Sequence, residues 1–173
     1  PAHHRPDTSR PTGHRLKEIL KPGAAQAAPQ TVTADLKNST GQTVGAVPLP
    51  AAPKGVLLRV EAQGLTPGWH GMHLHAKGDC SKSDFTSAGP HVHGSAAAVH
   101  GLLNPAATET GDLPNIHIAS DGSGSTEVFS TSVKLSDLRD ADGSAVVIHA
   151  AADDHMAQPI GGSGARVACA VIK

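Results

Sequence analysis

The chain has 173 residues, the size of one domain with a tail, and 38% of them are hydrophobic, which suits a modest core. A net charge of -1 excludes the broad basic field of a nucleic-acid binder, and no apolar run is long enough to cross a bilayer as a helix. With 19 glycines, 13 prolines, two phenylalanines, one tryptophan and no tyrosine, the composition points to many turns and an aliphatic core.

Residues 1–30 stand apart. They hold five Lys/Arg against two Asp/Glu, three histidines and five prolines, whereas the remainder holds nine against thirteen. This pattern predicts a flexible, basic, His/Pro-rich tail. RLKEIL is too short to be a stable helix alone. A free amine at Pro1 with His3, and with His4 and His14 nearby, would chelate Cu(II); a solvated linker is the simpler reading. A first residue other than Met is what a cleaved export signal would leave.

From Thr31 the apolar period becomes two. In TVTADLK, Val32, Ala34 and Leu36 share a face. NSTGQ reads as a turn, QTVGAVPL as a second strand. KGVLLRVEAQ alternates Val56, Leu58, Val60 and Ala62 against Leu57, Arg59, Glu61 and Gln63. After the turn GLTPG comes GWHGMHLH, then NIHIA, STEVFSTSV, SAVVIHA and ARVACAVI. About eight short strands with turns between them predict an all-β sandwich or barrel over residues 31–173. SDLRDADG predicts a turn or brief helix near 136–143. Two long segments, 76–114 and 150–164, carry no strand pattern, and loops of that length are usually functional.

Nine of the twelve histidines fall between His70 and His155. His73 and His75 sit one residue apart on a strand, so both imidazoles face one way while Met72 and Leu74 face the other. On SAVVIH, His149 has the opposite parity to Val146 and Ile148, which turns it outward too. Three outward imidazoles, with a loop carrying His91, His100 and Asp112, predict a pair of adjacent metal sites; imidazole suits copper, zinc, iron and nickel. His70, His117 and His155 are read as surface residues. Cys80 and Cys169 have no CxxC spacing and read as one disulfide closing a long loop, worth on the order of 4 kcal/mol. Such a bond implies an oxidising compartment.

GWHGMHLHAKGDC, FTSAGPHVHG, VHGLLNP, GDLPN, SAVVIHAAADD and GGSGARVACAVI together resemble the bacterial copper/zinc superoxide dismutase family, in its order and at about its spacings. The resemblance implies an eight-stranded Greek-key barrel or sandwich of immunoglobulin-like type with two functional loops. It implies a copper-dependent oxidoreductase that converts superoxide to dioxygen and hydrogen peroxide, an antioxidant activity, in the periplasm or otherwise outside the cytoplasm. Copper would bind His73, His75, His91 and His149. Zinc would share His91 and take His100 and Asp112. Cys80 would pair with Cys169. His91 would also carry a proton during turnover, and Arg166 would attract the anion. Asp153 would hydrogen-bond ligand histidines of both sites. A homodimer stays open.

One position departs from that pattern. The family's third zinc histidine falls at Glu109. Three readings compete: Glu109 binds zinc, His93 swings in, or the zinc site is weak or vacant, and the departure favours the last. A copper-buffering protein on the same barrel is the alternative to an enzyme.

Overall fold

A computed structural model describes residue 23 and residues 25–173. The tail, with Pro1, His3, His4, His14 and RLKEIL, lies outside the described residues except at its last few positions.

The strands are β1 (Thr31–Asn38), β2 (Thr43–Ala52), β3 (Gly55–Ala62), β4 (Gly68–His70), β5 (Met72–His75), β6 (Ile116–Ile118), β7 (Gly124–Ser130), β8 (Ser144–His149) and β9 (Arg166–Ile172). A single helical turn, α1 (Leu135–Leu138), lies in the segment where the sequence suggested one. Nine strands replace eight because GWHGMHLH is broken at Gly71. There the backbone N–H donates to Ala151 O and the carbonyl accepts from His149 N, each at 2.8 Å. A Cβ at Gly71 would stand 2.6 Å from Ser163 Cβ, so only glycine lets the loop after β8 approach this closely.

One seven-stranded antiparallel sheet runs β5-β8-β9-β1-β2-β3-β7, and β4 pairs with β6. Because β4 continues into β5 and β6 lies against β7, the sheet curls round on itself. The side chains predicted to point inward do so. Leu36, Leu58, Met72, Leu74 and Ile148 are fully buried in one aliphatic cluster. Each such side chain contributes about 1.5–3 kcal/mol on removal from water.

The opposite face of β5 and β8 is buried as well. All four residues of β5 and all six of β8 are inaccessible. Loop 76–114 folds back across them, so the face that alternation called outward is covered by protein. Phe85 and Ala88 from this loop pack on Ala145, Val147 and Cys169, and the Cys80–Cys169 disulfide ties the loop to β9.

Candidate metal centre

β5 supplies His73 and His75, and the loop is stitched to it by isolated backbone bridges. His75 pairs with His91, and His73 with Asp112, while His93 pairs with Glu109 one step further out. Leu74 N donates to Gly111 O and its carbonyl accepts from Val92 N, both at 2.8 Å. A segment without strand periodicity is thereby laid along the strand edge, which brings residues far apart in sequence onto β5. On the other side β8 pairs in register with β5, and His149 ends it at a register shift opposite Arg166.

His73, His75, His91 and His149 each present one ligand nitrogen, all within 4.8 Å of one another, and all four residues are buried. The second nitrogen of each ring is engaged. His75 Nδ1 lies 2.8 Å from Gly89 O, His149 Nδ1 2.9 Å from Gly164 O, His73 Nε2 2.7 Å from Asp153 Oδ2, and His91 Nδ1 2.7 Å from Glu109 Oε2. A carbonyl or carboxylate oxygen only accepts, so the engaged nitrogen carries the hydrogen and the other is left with a lone pair. His73 Nδ1, His75 Nε2, His91 Nε2 and His149 Nε2 are buried and have no partner. Four orphaned acceptors at one point are costly unless a cation occupies it.

Electrostatics keep three of these rings, His73, His75 and His149, neutral. Burial, against the help of the Gly89 carbonyl, pushes His75 down to about 2. Burial likewise lowers His149 to about 3, with the neighbouring His73, His91 and Arg166 adding repulsion. His73 is also lowered, by burial that outweighs its bond to Asp153. A neutral imidazole is the form that binds a metal.

A second group, His73, His91, His100 and Asp112, also brings its ligand atoms within 4.8 Å. His100 Nδ1 lies 2.8 Å from Asp112 Oδ1 and 3.0 Å from Glu109 Oε2. Burial works against charging His91 and His100, but carboxylate contacts override it and raise both: Asp112 and Glu109 for His91, Asp153 and Glu109 first for His100. Burial would raise Asp112, yet the facing His91 and His100 rings and the Gly101 N–H hold it well below the usual carboxylate range.

Asp153 joins the two groups. Its Oδ2 meets His73 Nε2 at 2.7 Å and its Oδ1 meets His100 Nε2 at 3.0 Å. Despite burial, these bonds keep it ionised. Asn115 pins the Asp153 backbone from both sides, accepting from its N–H and donating to its carbonyl at 2.9 Å each. Gln158 clasps the His100 backbone in the same way, at 2.8 Å each. Neither Asn115 nor Gln158 was singled out from the sequence. Each adjoins a proline, Pro114 and Pro159, a turn signal that says nothing of their partners.

The remaining expected residues divide. Arg166 Nη1 donates to Phe85 O at 2.8 Å and is half-buried beside His75 and His149. Glu109 lies against His91 and His100 of the second group with its side chain 6% exposed, whereas His93 is exposed and its Nδ1 turns to Gly94 O. His117 is exposed and packs edge-on against Trp69. His70 is not a surface residue: it is buried, with Nδ1 2.7 Å from His149 O and Nε2 2.6 Å from Thr66 O. The break at Gly71 turns it under the His149 end of β8, which strand parity could not show. His155 is only partly exposed, because its backbone N–H caps Asp153 Oδ1 at 2.6 Å.

The family model for copper/zinc superoxide dismutase matches residues 43–172. A Cu-Zn superoxide dismutase of Caulobacter vibrioides is 56% identical over 149 residues, covering 83% of this chain and 86% of that protein. The solved Cu/Zn superoxide dismutase of Brucella abortus superposes with a TM-score of 0.71 at 30% identity, covering 83% of this chain and 100% of that one. A SOD-like protein from Bacillus subtilis superposes with a TM-score of 0.72 at 32% identity, covering 82% of this chain and 97% of that one.

Proposed function

The chain belongs to the copper/zinc superoxide dismutase family, and from that premise we propose that His73, His75, His91 and His149 hold copper while His91, His100 and Asp112 hold zinc. The observation that carries the copper assignment is the set of four buried imidazole nitrogens with no partner in the protein. Four nitrogen donors suit Cu(II), and a mixed imidazole and carboxylate set suits zinc.

Dismutation turns two superoxide anions and two protons into dioxygen and hydrogen peroxide. The copper, when bound, supplies the one-electron exchange, which zinc cannot. The protein's own residues do the rest. His75 and His149 are fixed by backbone carbonyls, so their free nitrogens keep their direction. His91 faces both groups, one nitrogen toward Glu109 and the other unpaired, and is placed to accept and return a proton at Nε2. Arg166, held by the Phe85 carbonyl, keeps a positive charge beside the copper ligands and draws in the anion. A protein that merely stored copper would need neither. Its single disulfide supports an oxidising location outside the cytoplasm, and the strands from Thr31 onward support one barrel domain following the basic tail.

The test is His149→Ala with copper supplied. Copper content and superoxide consumption should both fall to background while the barrel stays folded. A variant that retains copper and full activity removes the assignment.

A further inference from the structure

A tetrahedral zinc site needs four donors, and His91, His100 and Asp112 supply three. We propose that Glu109 is the fourth, so that the second site is a complete two-imidazole, two-carboxylate zinc site rather than an impaired one. This rests on the second-site reading above and deepens it.

The geometry favours Glu109 over His93 on position alone. The two residues face each other across one backbone bridge, yet only Glu109 sends its side chain inward. Its Oε2 is 2.7 Å from His91 Nδ1 and 3.0 Å from His100 Nδ1. Asp112 Oδ1 is 2.8 Å from His100 Nδ1 and 3.5 Å from His91 Nδ1. Each ring nitrogen thus faces both carboxylates, and the His100 N–H is shared between them. A shared N–H bonds each acceptor less well than a single straight bond, whereas one ion at the centre engages all four donors. Zinc bonds of about 2.0–2.2 Å at tetrahedral angles put neighbouring donors ~3.3 Å apart, so the atoms need only small outward shifts to admit the ion. The charges agree as well. Two carboxylates with side chains 6% and 4% exposed are a poor arrangement alone, and a divalent cation neutralises both.

The test uses the full chain loaded with copper and titrated with Co(II) as a coloured substitute for zinc. The unaltered protein should take up cobalt with the strong visible bands of a tetrahedral site. Glu109→Gln should weaken uptake by more than about 100-fold, beyond the ~10–100-fold that losing a mere hydrogen-bonding partner of a ligand costs. Glu109→His should bind tightly with shifted bands, because nitrogen replaces oxygen, and His93→Ala should match the unaltered protein. The proposal is overturned by absence of a tetrahedral spectrum, by Glu109→Gln binding normally, by loss of uptake in His93→Ala, or by identical spectra for Glu109→His and the unaltered chain. If Glu109→Gln does not fold, the comparison with Glu109→His still decides. Cu(II) resonance in the same samples reports the four-histidine site separately, so a failure there is not confused with a failure here.

Discussion

Asp153 has one carboxylate oxygen for each metal group, and its backbone is held by Asn115 independently of that carboxylate. Asp153→Asn keeps the shape but presents an NH2 to one of the two rings. That ring must then turn its lone pair toward the amide and its N–H toward the metal position. Affinity for one or both metals should fall about 10–100-fold, read by chelator competition, with little change in the fold. Unchanged affinities would mean the carboxylate does not orient the rings. The buried histidines also set a pH response for the metal-free protein. His75 and His149 titrate near 6.5 when unfolded but near 2 and 3 when folded, and His73 is shifted the same way. Below pH 6.5 the unfolded chain therefore binds more protons, and stability is lost as pH falls toward those lower values. The slope is about 1.4 kcal/mol per pH unit for each histidine. His91 and His100 are shifted upward, so they are charged in both states at lower pH and add no further slope there. Denaturation midpoints of metal-free protein should drop steadily from pH 6.5 to 4.5; a rise on acidification would contradict this.

At the level of elements, the segment after β8 shows how a loop can be as exacting as a strand. Gly161 adopts φ +62, and a Cβ there would collide with Asp153 Oδ1. Gly161→Ala therefore incurs backbone strain and displaces the carboxylate that both metal groups share. The expected result is a loss of zinc and copper affinity larger than the loss of thermal stability, measured by metal competition beside calorimetry. Equal metal affinity in the variant would show that the loop relaxes elsewhere. Strand alternation on β5 and β8 was readable in HxH and SAVVIH because a period of two is a local property. Which residues cover the outer face was not readable, since it depends on loop 76–114 forming backbone bridges to a strand that precedes it.

Over the whole molecule, a net charge of -1 gives little overall attraction for an anion. Capture then depends on where charge is placed, and Arg166 is half-buried beside His75 and His149 with Phe85 fixing its direction. Arg166→Ala should slow superoxide consumption several-fold and flatten its dependence on ionic strength, measured by rapid mixing across a salt series. A variant with the parent's rate and salt response would remove the guidance role. The disulfide acts at the same scale, joining the loop that carries His91 to the strand that carries Arg166 across 89 positions.

Residue order alone determined most of the strands, which side chains share a face, and the run of motifs that points to the family, because periodicity and spacing are written locally. Tertiary structure alone decided that His70 lies beneath His149, that Asn115 and Gln158 anchor the loops, and that Glu109 rather than His93 turns toward His91 and His100. Those choices are made by contacts between segments tens of residues apart. The side-chain type at a position limits what it can bind, but only the curled sheet and its loops fix what stands opposite it.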